Sequence, residues 1–94
     1  MKVLRAEKRF GLEPGGYMRM LEEQGHKCAI CAAPFDPERR LGVDHDHGCC
    51  DGRDSCGECV RGLLCGRCNL GLEQFRDDPS RLRSAADYLD RYHG

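Results

Sequence analysis

Apolar positions come in short bursts along this chain, and their spacing predicts a series of small elements. Residues 3–10 carry a weak helical pattern that Gly11 breaks. In "PGGYMRMLEEQG" the apolar Tyr17, Met20 and Leu21 share one face, which predicts a helix ending near Gly25. "CAIC" follows at once, and the prolines of "APFDPERR" mark that stretch as loop. "LGVD" (41–44) and "CVRGLL" (59–64) are short and rich in branched residues. They read as two strands of a hairpin, joined by the polar, Gly-rich connection that begins in "HDHGCCDGRDSCGE". A short helix is expected in "NLGLEQFR" after Cys68, with Asn69 near its start. The last helix has the plainest pattern. Asp78 caps it, Pro79 suits its first position, and Leu82, Ala85, Ala86, Leu89 and Tyr92 fall on one face.

These elements fit one small α+β domain spanning all 94 residues: N-terminal helices in 3–25, a core in 28–76 and a C-terminal helix in 79–92. Such a chain buries a low fraction of its surface. With 33% charged and only 6% aromatic residues, its core needs help from something besides hydrophobic burial. Eight cysteines can supply that help. "MKVLRAEKRF" has neither an apolar core nor a cleavage site of a secretory signal, so a cytoplasmic setting is expected, where thiolates bind metal more readily than they form disulfides. No stretch approaches the ~20 apolar residues that span a bilayer, so no membrane partner is expected.

A formal net charge of −1 argues against binding nucleic acid through bulk electrostatics. Local basic faces are still available: Lys2, Arg5, Lys8 and Arg9 cluster early, and Arg61 and Arg67 flank the cysteine-rich centre. Taken singly, each of these also reads as a solvated surface cation.

Cys28-Ala-Ile-Cys31 and Cys65-Gly-Arg-Cys68 form two C-x2-C knuckles with 33 residues between them. Two such turns supply the four thiolates of a tetrahedral structural zinc site. A redox reading of either motif lacks the surrounding βαβ pattern and leaves the other motif unexplained. Zinc at this spacing ties the hairpin to the helix after it as one ββα unit.

Within that unit lies "VDHDH" (43–47). Asp44 offers a hard oxygen to Mg²⁺ or Mn²⁺, and the amide oxygen of Asn69 can complete the protein's share. His45 has a neutral imidazole suited to general-base work on a phosphodiester. Asn69 could equally be a helix N-cap, or both. Asp46 reads as structural, orienting an imidazole. His26 and His93 read as surface residues.

The combination of "CAIC", "VDHDH", "VRGLLCGRCNLGL" and "AADYL", preceded by "FGLEPGGYMRMLEEQGHKC", resembles the phage recombination endonuclease VII family over about residues 9 to 92. That family belongs to the HNH, or ββα-metal, nucleases. The resemblance implies a metal-dependent DNA endonuclease acting on double-stranded or branched DNA in a phage-infected or bacterial cytoplasm. It implies metal binding by Asp44 and Asn69, catalysis by His45 with His47 essential or supporting, and a nick leaving a 5′-phosphate and a 3′-hydroxyl.

Two features depart from the family pattern. The hairpin connection is longer and adds Cys49, Cys50, Cys56 and Cys59, which suggest a second zinc site. Three of these cysteines with His47, or free thiols, are the alternatives. The sequence also closes on "DYLDRYHG", without the further helical regions that junction-resolving members use, so simple nicking is expected more readily than junction resolution, and monomer and dimer both stay open. The rival reading is a zinc-ribbon-like module that binds nucleic acid or protein without catalysis; a subunit that has kept the fold and lost turnover is a third.

Overall fold

The computed structural model describes residues 7–8, 10–46 and 59–93, and the elements follow in the expected order. Helix α1 (Gly16–Glu23) is followed by strands β1 (Gly42–His45) and β2 (Val60–Leu64), helix α2 (Gly66–Gln74) and helix α3 (Pro79–His93). The described chain is thus α+β, with one two-stranded antiparallel sheet. Among the described residues, no helix is long and apolar enough to cross a membrane.

Helix α1 begins after Gly15, whose φ of 86° suits glycine and leaves no side chain to cap the helix. The missing cap comes from upstream: the buried Glu7 carboxylate accepts the Tyr17 N–H at 3.0 Å. At the other end Gly25 takes φ 70°, and the N–H groups of Gly25 and His26 donate to the carbonyls of Glu22 and Leu21. This paired closure is why the helix stops where the sequence places a glycine.

Tyr17 and Leu21 face the hairpin and pack in one core with Phe10, Leu41, Val43, Leu63 and Leu64. The Tyr17 hydroxyl donates to the Leu41 carbonyl at 2.5 Å, so the largest core side chain has no unpaired polar end. Gln24 closes the outer edge of β2. Its amide oxygen accepts from Leu63 N–H at 2.8 Å, and its amide nitrogen donates to Leu63 C=O at 3.0 Å and Lys27 C=O at 2.8 Å. Ala29 N–H adds a second donor to the Leu63 carbonyl. A side chain and a loop amide therefore stand where a third strand would be. Gly62 makes room for this: a Cβ there would sit 3.1 Å from the Gln24 amide oxygen.

Two local expectations shift. Helix α2 starts at Gly66, with Cys65 as its capping residue, so the second C-x2-C motif forms the helix's first turn and does not precede it. Asn69 is consequently interior, its N–H donating to the Cys65 carbonyl at 3.0 Å; it is not the N-cap. Helix α3 is capped as expected by Asp78, whose carboxylate accepts the Ser80 N–H at 2.9 Å. Its apolar face, however, is largely open to solvent, with Leu89 52% and Tyr92 72% exposed.

Candidate functional site

The first knuckle is a tight turn. Cys28 C=O accepts from Ala32 N–H at 3.1 Å, Ala32 takes φ 63°, and Cys28 N–H donates to Ala33 C=O at 2.8 Å. The second knuckle is the start of α2. Together they bring the sulfurs of Cys28, Cys31, Cys65 and Cys68 within 4.8 Å of one another. The Cys31 and Cys65 sulfurs lie 3.6 Å apart. A tetrahedron with Zn–S bonds of about 2.3 Å has edges of about 3.8 Å, so the four thiols are placed to hold zinc with little adjustment.

The four thiols are not equivalent. Burial works against ionising Cys28, but N–H groups of Cys31, Cys65 and Ile30 outweigh it and lower its pKa to about 6. Backbone hydrogen bonding at Cys68 lowers Cys65 as well. Burial and the neighbouring sulfurs push Cys68 up to about 12. The cluster therefore presents thiolate first at Cys28, and Cys68 must give up its proton when the ion arrives.

The clamp sets a second group of residues. Alternation along β1 turns Val43 and His45 toward the core and Asp44 toward α2. Asn69 and Glu73, one helical turn apart, lie on the α2 face that meets it. Asp44, Asn69 and Glu73 line one cavity of about 200 Å³, completed by Arg76 and Asp77. The donor set is a buried carboxylate, an amide and two further carboxylates, an oxygen-rich group of the kind Mg²⁺ or Mn²⁺ accepts.

Arg76 and Asp77 owe their place to strain. Both have left-handed backbones, φ 57° and 55°, where a helix end usually uses glycine. The closing pattern is the one seen after α1: Arg76 N–H donates to Glu73 C=O and Asp77 N–H to Leu72 C=O. Replacing Arg76 by glycine is expected to stabilise the fold by about 1 kcal/mol in denaturant titrations. The same change removes a cation from the cavity wall. Lower stability in Arg76→Gly would show that the arginine's contacts outweigh its backbone cost.

Sequence reading placed Arg61 only on a general basic surface, yet here it contacts the site directly. Its Nε donates to Asp44 Oδ2 at 2.8 Å and its Nη2 to Asp44 Oδ1 at 3.0 Å. Its Nη2 also reaches Asp77 Oδ2 at 3.3 Å. Hydrogen bonding to Asp44 raises the Arg61 pKa above the ordinary guanidinium value. The signal in the sequence was indirect: Arg61 precedes a glycine that pairs with Asp44 across the hairpin.

His45 is 5% exposed, and its ring packs against Phe10 with centroids 5.7 Å apart. His47, Cys49, Cys50 and Cys56 lie outside the described residues, and so does the test of a second zinc site. Of that expected set, Cys59 is described. It is buried, and its carbonyl accepts the Asp46 N–H at 2.8 Å, which extends the hairpin beyond β1. A larger cavity of about 640 Å³ adjoins the cysteine cluster and carries Arg39, Arg40 and Arg67 on its wall. Among the described residues, the Arg40 Nη1 atom is buried without a hydrogen-bond partner.

A hairpin and helix clamped by four cysteines, with acid and amide groups between them, define a small metal-binding α+β protein. The family profile of recombination endonuclease VII matches residues 3–91, and the chain belongs to that family. It is 37% identical over 81 residues to the Gene 59 protein of Mycobacterium phage D29 and 36% identical over 81 residues to that of Mycobacterium phage L5. Each alignment covers 85% of this chain and 44% of the relative, so the chain spans less than half the length of these phage proteins.

Proposed function

We propose that the protein is an HNH-type endonuclease that hydrolyses DNA phosphodiesters with a divalent cation, Mg²⁺ or Mn²⁺, held by Asp44 and Asn69. The reading rests on one observation above the rest: a strand carboxylate and a helix amide, fixed by the cysteine clamp, line the same cavity. Membership of a nuclease family supports it. The bound cation would act as a Lewis acid on the phosphate and on the departing oxygen.

The chain's own residues supply the rest. Asp44, buried and oriented, provides a fixed negative charge at the cavity floor. Asn69, locked in α2, adds an uncharged oxygen. His45 follows Asp44 at the strand end; its ring packs on Phe10, on the other face of β1, so it must turn toward the cavity to take a proton from the attacking water. The water oxygen bonds to phosphorus as the bond from phosphorus to the 3′-oxygen breaks. That oxygen takes a proton from solvent water as it leaves, giving a 5′-phosphate and a 3′-hydroxyl. Arg39, Arg40 and Arg67 beside the cysteine cluster form a wall on which a DNA backbone can rest.

Nicking of supercoiled plasmid tests the assignment. Folded, zinc-loaded protein is expected to nick with Mg²⁺ or Mn²⁺, to stop on chelation of that ion, and to lose activity in His45→Ala. A zinc-loaded wild type that binds DNA but makes no nicks would instead identify a zinc-ribbon-like binding module. Branched substrates and a sizing column would then separate junction resolution from simple nicking, and dimer from monomer.

A further inference from the structure

The Asp44 carboxylate already has a cationic partner. Arg61 grips both its oxygens in the side-on fork that guanidinium makes with carboxylates and phosphates, and the carboxylate itself is only 8% exposed. The arrangement is built by a bulge. Asp44 pairs with Gly62 and His45 with Val60, so Arg61 is the extra residue between them. A bulge re-aims a side chain, and this one brings Arg61 to Asp44 and Asp77. The guanidinium keeps 39% of its side chain exposed, so it can leave without unpacking the core.

We propose that Arg61 is an internal stand-in for the divalent cation: it neutralises Asp44 until the ion arrives, and the freed guanidinium then pairs with the DNA phosphate undergoing cleavage. The inference rests on the reading of Asp44 and Asn69 as the metal site. Its physical basis is competition. A doubly charged ion and a guanidinium cannot both sit against one carboxylate without repelling each other. A phosphate relieves that repulsion by accepting the same fork that Asp44 gives up. Ion and substrate would therefore each favour the other's binding, and the site would hold metal weakly when no DNA is present.

The test is Mn²⁺ affinity, followed by the loss of the free-ion electron paramagnetic resonance signal, in zinc-loaded protein without DNA. Wild type, Arg61→Leu and Asp44→Asn are compared, with Arg61→Gln as the substitute should the leucine variant fail to retain zinc. Arg61→Leu is expected to bind Mn²⁺ about tenfold more tightly than wild type, from removal of a like charge a few ångströms away. At saturating Mn²⁺ it is expected to nick DNA more slowly than wild type. A purely structural arginine would give the opposite sign in the first measurement, because a loosened Asp44 binds the ion less well. Equal or weaker Mn²⁺ binding in Arg61→Leu overturns the proposal, and so does tighter binding with undiminished nicking. If Asp44→Asn binds Mn²⁺ as wild type does, the metal-site reading itself fails and the proposal goes with it.

Discussion

Stripping zinc with a strong chelator is expected to unfold the protein, with loss of the far-ultraviolet helical signal and collapse of amide dispersion in nuclear magnetic resonance spectra. The argument is one of magnitudes. The buried core is small, with eight residues in its cluster among those described. A structural zinc site contributes roughly 10 kcal/mol or more to folding, while whole domains have net stabilities of about 5–15 kcal/mol. Removing the ion thus removes most or all of the margin. The clamp also crosses the fold, since Cys28 and Cys31 sit after α1 while Cys65 and Cys68 open α2. Cys68→Ser should reproduce the effect, and added zinc should restore the wild type but not the variant. A folded apo protein would mean that hydrophobic packing alone suffices.

Acid should weaken the clamp in the same way, and the sign follows from the thiols. Cys28, despite burial, has a pKa lowered to about 6 by backbone N–H groups. A depressed acid contributes stability that is present above its unfolded value and lost as pH falls through the folded one. Zinc affinity is therefore expected to fall with acidification from the ordinary thiol range downward, and to fall most steeply below about 6, where Cys28 joins the other thiols in competing for protons.

His45→Ala is expected to cut the nicking rate by about 10²- to 10⁴-fold, the usual contribution of a positioned general base. Its zinc content and overall fold should survive, because the cysteine clamp does not include it. The ring also packs on Phe10, so some stability is lost with it. His45→Asn, which keeps more of the side-chain volume, separates the two effects: nicking should stay low while the melting temperature recovers. The same assay on His47→Ala shows whether the second imidazole shares the proton transfer. Activity retained in His45→Ala and lost in His47→Ala would move the base two residues along the chain.

Much of this is legible in the sequence. Repeating C-x2-C spacing marks a clamp because the ligand geometry of zinc depends on local turns, which short motifs encode. Helix starts and stops at Gly25, Asp78 and Pro79 were equally readable, because caps act through residues next to one another. That Asp44 and Asn69 face one cavity follows from the same logic, since the clamp joins hairpin to helix. The reading erred where one motif had two local solutions. "CGRCN" can end a strand turn or open a helix, and contacts with β1 and β2 decide for the helix, which moves Asn69 from a cap to an interior face.

By itself the sequence determined the order of elements, the four-cysteine clamp and the acid, imidazole and amide types available for chemistry, since each is written in local spacing. Only the tertiary structure decided that Gln24 completes the edge of β2, that Glu7 caps α1, that Arg61 occupies Asp44, and that Arg76 and Asp77 wall the cavity. These contacts join residues far apart in the chain or depend on a bulge and two left-handed backbones. Residue patterns report neighbours along the chain, whereas partners of this kind are chosen by packing, which exists only once the chain has folded.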